Sequence, residues 1–404
     1  MKELLTRREC TAMRGIAILA IMLHNYCHFI GKIVKENEYM YHEVNNDRLW
    51  FVLTNPDELL PVHLLSYFGH YGVPVFLFLS GFGLVKKYET SPDPSKGGEG
   101  LRTEGARQAL LPFGEAGRGF ILYHYLKLLR MLIVGFVLFL VVDAVTPGRF
   151  AFHWDNVLAQ LLMYINVLPE PDKIIWPGIY WFFGLMMELY IVYRLLLYRR
   201  QAWLVVGLIV VCWLLQVFCD PDGETLNRLR YNCIGGMLPF GVGIIVARVF
   251  SRSEECGVWS ETTASADFAV EATAEHISLH TPHSSLLERT LHFPLLGLLL
   301  ALASIPLVIA MSFSFHSWLW IPVVIIVGTI AMVKAMPDAV QKVFVFFGTY
   351  SAAMFVAHPV ARKLFITVAW RQDIYDGLML YVVVVIALSW AVKQIIDRIP
   401  SPKQ

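Results

Sequence analysis

The residues best placed to do chemistry lie in one apolar run. Between Thr6 and Ile30 the sequence reads TRRECTAMRGIAILAIMLHNYCHFI, which sets Arg14, His24 and His28 into a stretch long enough to cross a bilayer. Arginine at the centre of such a helix costs roughly 2.5 to 3.5 kcal/mol on insertion scales, so ionisable groups at that depth need a partner or a task. A neutral imidazole is suited to take a proton from a hydroxyl near neutral pH, and a guanidinium near the basic end of the run is suited to hold an anion. Further along, Glu188 in WFFGLMMELY and His358 in MFVAHPVA fall at middle to outer depth, while His70, like His28, lies near the outer interface. If these helices converge, acid–base groups face outward and a cation faces the cytoplasm. That layout suits a reaction whose anionic donor arrives from inside.

Each of these residues also has a plainer reading. Arg14 is equally suited to anchor the helix by snorkelling to headgroups, and His24 to hydrogen-bond a neighbouring helix. Glu188 is equally a structural partner for a buried cation, and His358 precedes Pro359, which frees a backbone carbonyl for a side chain to satisfy. The basic residues Arg102, Arg107, Arg118, Lys127 and Arg130 are positioned to attract a phosphorylated donor. The glycine-rich segment that carries the first three has no GxxxxGK[ST] pattern and reads as a flexible linker.

The elements that must position these groups follow from composition. Of 404 residues, 56% are hydrophobic and only 16% charged, well below the charged share of a soluble globule. The expected class is therefore all-α, a polytopic membrane helix bundle. A net charge of +1 leaves no basic face for nucleic acid. The six cysteines show no paired metal-ligand spacing and no metal is expected, nor any bound cofactor; Cys219 and Cys233 flank one short outer loop and could pair, with reduced, buried cysteine the favoured reading. No signal peptide is expected, because the first apolar run carries Arg14 and His24 and lacks a small-residue cleavage site.

Length of apolar run and placement of Lys and Arg predict about ten transmembrane helices with both termini cytoplasmic. The spans fall near residues 11–30, 67–85, 120–142, 177–197, 202–219, 231–249, 291–312, 317–335, 343–362 and 377–392. Val157–Leu168 is too short to span and reads as interfacial or re-entrant. The chain forms a single membrane domain over 1–404, with a glycine-rich cytoplasmic loop at 88–118 and a polar cytoplasmic linker at 251–290.

Four stretches in order resemble the membrane acyltransferase 3 family, which includes O-acetylases of bacterial surface polysaccharides: MRGIAILAIMLHNY, GVPVFLFLSGFGL with Ser80, Gly81 and Phe82, YWFFGLMMELYIVY, and FGTYSAAMFVAHPV. The resemblance covers nearly the whole chain. It implies an integral protein of the bacterial cytoplasmic (inner) membrane that moves an acyl group, usually acetyl from acetyl-CoA, to a hydroxyl of a surface glycan or lipid-linked sugar. Arg14 and His24 take the places of the family's essential arginine and histidine, with His24 read as the general base or, as an open alternative, the carrier of a covalent acyl-histidine. Arg14, Lys127 and Arg130 are the donor-binding expectation; Glu188, His358, His28 and His70 are the acceptor-side expectation. Acyl-CoA, the sugar acceptor and membrane lipids are the expected partners. One departure stands out: the family separates its arginine and histidine by ten residues, and here only nine intervene. Either a π-bulge absorbs the offset, or the two act about 15 Å apart along the axis in separate subsites. Two other classes remain open from the residues alone, a transporter or flippase for a glycan or lipid-linked intermediate, and a structural partner in a glycan-assembly complex.

Overall fold

The computed structural model describes residues 4–89, 115–266, 294–366 and 373–402, and among these there are helices and no strands. The helices of two turns or more are α1 (Arg7–Cys27), α2 (Glu43–Thr54), α3 (Leu60–Phe68), α4 (Gly72–Tyr88), α5 (Glu115–Val145), α6 (Trp154–Leu161) and α7 (Trp181–Val192). They continue with α8 (Ala202–Val217), α9 (Glu224–Tyr231), α10 (Cys233–Ala266), α11 (Pro294–Met311), α12 (Ile321–Ala335), α13 (Asp338–Ile366) and α14 (Ile374–Arg398). Seven described stretches are long and apolar enough to cross a membrane: 7–27, 60–88, 117–145, 178–197, 233–250, 338–365 and 374–398. Three shorter apolar helices, 202–217, 295–311 and 321–335, fall where the remaining runs were expected. Large apolar side chains such as Val137, Val141, Leu298, Leu299 and Leu302 are exposed, as a surface facing lipid requires.

Charge pairs gather at one end of the bundle. Glu9 closes a capping box with Thr6 at the start of α1 and also binds Lys334 at the end of α12, 3.2 Å away. Arg248 of α10 grips Glu89 at 2.8 Å and donates to the carbonyls of Leu197 and Arg200, where α7 finishes in a π-helical turn. Arg130 of α5 donates to the Ile399 carbonyl and to Ser401. The beginning of α1 and the end of α14 thus share this basic end.

Small residues set the helix crossings, as expected where van der Waals contact rather than water drives association. A Cβ on Gly15 of α1 would meet the Phe344 carbonyl of α13, and one on Gly348 of α13 would meet the Thr11 carbonyl of α1, each closer than 3.0 Å. Gly81 of α4 and Gly243 of α10 make the same reciprocal contact, against Phe240 and Phe78. The second apolar stretch begins earlier than hydropathy placed it and is broken into α3, a 3-10 turn at 69–71 and α4. α1 passes so near that a Cβ on Gly69 would come within 2.6 Å of both the Ala20 carbonyl oxygen and the His24 Cβ.

The expected interfacial segment is α6 followed by a 3-10 turn over 165–167. Of the expected linker at 251–290, residues 251–266 continue α10 as helix, and the rest lies outside the described residues. The glycine-rich loop likewise lies outside them over 90–114; 88–89 end α4 and 115–118 begin α5. Cys219 and Cys233 are both free.

Candidate active site

At the end of α1 remote from the basic pairs, a cavity of about 310 Å³ is walled by α1, α7, α13 and two loops. His24 and His70 are both buried in its wall, 5% and 3% exposed. His24 Nδ1 lies 2.7 Å from the Ser66 carbonyl oxygen. A carbonyl only accepts, so Nδ1 carries the hydrogen and Nε2 keeps its lone pair. The close approach at Gly69 holds the ring in that position.

Glu36 stands opposite. Its Oε1 is 3.9 Å from His24 Nε2, and its Oε2 is 2.6 Å from His28 Nδ1. Burial alone would raise this carboxyl, but the His28 hydrogen bond and the electrostatic influence of the neighbouring His24, His28 and His70 imidazoles hold it at about 2. Glu36 is therefore ionised at any working pH. An asparagine network fixes the loop that carries it: Asn37 donates to Asn46, Asn45 donates to the Glu36 carbonyl and to Asn37, and Trp318 donates to the Asn37 carbonyl. Two residues on, low-dielectric surroundings and then the neighbouring Glu36 push the Glu38 carboxyl up to about 8. Arg230 donates to the Glu38 carbonyl oxygen at 3.0 Å.

Opposite the histidines the wall is aromatic. Tyr39 stacks on Tyr231 with centroids 4.0 Å apart, and Trp181 meets both edge-on. Arg362 of α13 lies buried at the rim, donating to Asn25 at 3.2 Å with its guanidinium 4.0 Å above the Phe29 ring.

The structure brings together His24, His28 and His70, whose rings lie 5.5 Å and 5.6 Å from that of His24. Neither nitrogen of His70 has a hydrogen-bond partner. His358 sits one layer behind, its Nδ1 donating to the Met354 carbonyl, its Nε2 unpartnered, and its ring 6.0 Å from Phe355 of the cavity wall. Glu188 is elsewhere: its Oε2 accepts from the Cys233 backbone N–H at 2.7 Å, at the start of α10.

Arg14 does not line the cavity. α1 is α-helical throughout, with no π turn to absorb the nine-residue spacing. Ten residue steps place Arg14 about 15 Å from His24 along the axis and roughly 80° around it. Arg14 is exposed, near enough to Lys127 and Tyr190 to interact electrostatically with both. Lys87 joins this region, its ammonium 4.7 Å from the Tyr123 ring. Arg130 is engaged by the C-terminal segment.

Sequence reasoning missed Glu36, Glu38, Arg230 and Arg362. The first two sit in a loop that looks like ordinary solvated polar chain. Arg362 had a legible signal, one helical turn beyond His358 on an apolar helix.

A family model described as an acyltransferase domain matches residues 9–394. The chain belongs to the acyltransferase 3 family. Searches of curated proteins and of solved structures found no match. With its apolar helices, the protein is a membrane acyltransferase, and the cavity beside His24 is also lined by His28, His70, Glu36 and Glu38.

Proposed function

We propose that this acyltransferase moves an acetyl group from acetyl-CoA to a hydroxyl of a surface glycan or lipid-linked sugar in the bacterial cytoplasmic membrane, with both termini cytoplasmic. One observation carries the reading: the Ser66 carbonyl fixes the His24 tautomer so that the Nε2 lone pair is free beside a buried carboxylate and an open cavity. His24 Nε2 takes the hydroxyl proton as the acceptor oxygen attacks the thioester carbonyl; Glu36 stabilises the imidazolium; the proton then passes to the departing thiolate, giving free CoA and the ester. Tyr39, Tyr231 and Trp181 line the cavity with aromatic surface suited to the C–H side of a sugar ring.

The donor's phosphates bind at the basic end, where Arg14, Lys127 and Lys87 lie near one another, and the pantetheine arm spans the 15 Å or so to His24. That division gives Arg14 and His24 separate subsites. Family membership favours group transfer over transport of an intact glycan. The test is the mass of the glycan. Cells lacking the protein should present the same glycan at the surface, lighter by ester-linked acyl groups, and His24→Ala should reproduce that deficit at normal protein levels. A glycan of unchanged mass and ester content trapped inside the cell would overturn the reading.

A further inference from the structure

We infer that the rim of this cavity binds a divalent transition ion of the zinc class through His24, His28 and Glu36. Cysteine spacing offers no reason to expect a metal. The fold supplies what spacing did not. His24 stands in the last turn of α1 and His28, one turn further, caps it; their rings lie 5.5 Å apart, and the loop after α1 folds back to bring Glu36 within 3.9 Å of His24 and 2.6 Å of His28.

The ligand atoms available from the three residues all lie within 4.8 Å of one another. Tetrahedral coordination with bonds of 2.0–2.1 Å sets ligand atoms about 3.4 Å apart. The contact of His28 Nδ1 with Glu36 Oε2 at 2.6 Å must therefore open, and the separations that reach 4.8 Å must close by about 1.4 Å, through rotation of the His28 and Glu36 side chains. His28 is 28% exposed and free to make that adjustment.

Three further features favour the ion. The His24 Nδ1–H bond to the Ser66 carbonyl is the outer contact that orients a metal-binding imidazole and leaves Nε2 as donor. Two imidazoles and one carboxylate suit zinc rather than the oxygen-seeking magnesium or calcium, and leave a fourth position open. Close by stands His70, buried, its ring 5.6 Å from that of His24. An ion at this site takes the lone pair that acyl transfer requires, so a bound zinc ion stops the reaction. That last consequence rests on the proposed function; the binding itself does not.

The test uses the full-length protein in detergent micelles, stripped with EDTA and titrated with zinc chloride by calorimetry, with cobalt(II) absorption as an independent signal. One ion per chain is expected, at a Kd in the micromolar range or below, weakened at least about tenfold by His28→Gln and by Glu36→Gln. His316→Gln, at an exposed histidine away from the cavity, should bind as the parent does. No binding by the parent protein below about 100 µM overturns the proposal, and this result needs no variant to fold. Equal affinity in both rim variants overturns it as well. Stoichiometric binding that both variants weaken, without loss of acetyl transfer, upholds the site and refutes His24 as the base.

Discussion

Replacing Glu36 by Gln keeps the shape and a hydrogen-bond partner for His28 while removing one charge. The effect can be worked from geometry. A full positive charge on His24 Nε2, 3.9 Å from Glu36 Oε1, interacts by about 4 kcal/mol at an effective dielectric near 20. If half of that charge has developed in the transition state, the share is about 2 kcal/mol. At about 1.4 kcal/mol per factor of ten, kcat should fall between roughly 30-fold and 1,000-fold. Because the Glu36 carboxyl is held at about 2, the defect should be constant from pH 5 upward rather than appear at one pH. Glu36→Asp, which keeps the charge on a shorter stem, should recover part of the rate. The assay is release of free CoA thiol from acetyl-CoA by purified protein in the presence of acceptor, alongside a thermal melt. A Glu36→Gln protein that melts normally and keeps kcat within about threefold of the parent would refute the electrostatic reasoning.

Arg14→Gln should raise KM for acetyl-CoA about tenfold or more with kcat little changed, since the residue is placed to hold the donor and not the reacting atoms; a kcat loss at constant KM, read from initial rates, contradicts that. Gly348→Val puts atoms against the Thr11 carbonyl and can be accommodated only by shifting α1, so the melt should drop by the equivalent of about 1–3 kcal/mol and activity by about 100-fold even below the melt; Gly31→Val, where a Cβ meets nothing within 4 Å, should do neither. Glu38, raised to about 8, contributes stability that is fully present below pH 4.5 and is lost as pH rises through 8. The melting temperature of the parent should therefore fall more steeply between pH 6 and 9 than that of Glu38→Gln.

Hydropathy made the scaffold legible because lipid demands long apolar runs: among the described residues seven helical stretches long enough to span and three shorter apolar helices occur in the expected order, although the start of the second moved to Leu60 and the chain breaks at Gly69. That break is caused by the passage of α1, a tertiary effect that no local pattern encodes. His24 was legible because an imidazole at depth is costly; His28 and His70, placed near the outer interface where a histidine costs little, carried only a weak signal. Glu36 was not legible, since a carboxylate in a polar loop looks solvated until Asn37, Asn45 and Asn46 fold that loop over His24. The nine-residue spacing from Arg14 to His24 posed a question that α1, helical without a π turn, answers with two separated positions. Glu188 was singled out for depth alone, and depth cannot tell a group aimed at a cavity from one bonded to the backbone at Cys233.

The central claim is that the free Nε2 of His24 removes the proton from the acceptor hydroxyl. Its most direct test is the initial rate of CoA release by purified His24→Ala, at saturating acetyl-CoA and acceptor, with folding checked by the melt. The account predicts a loss of about 10²- to 10⁴-fold at an unchanged melting temperature and unchanged acetyl-CoA affinity. A folded His24→Ala protein that releases CoA within a few-fold of the parent rate would contradict it.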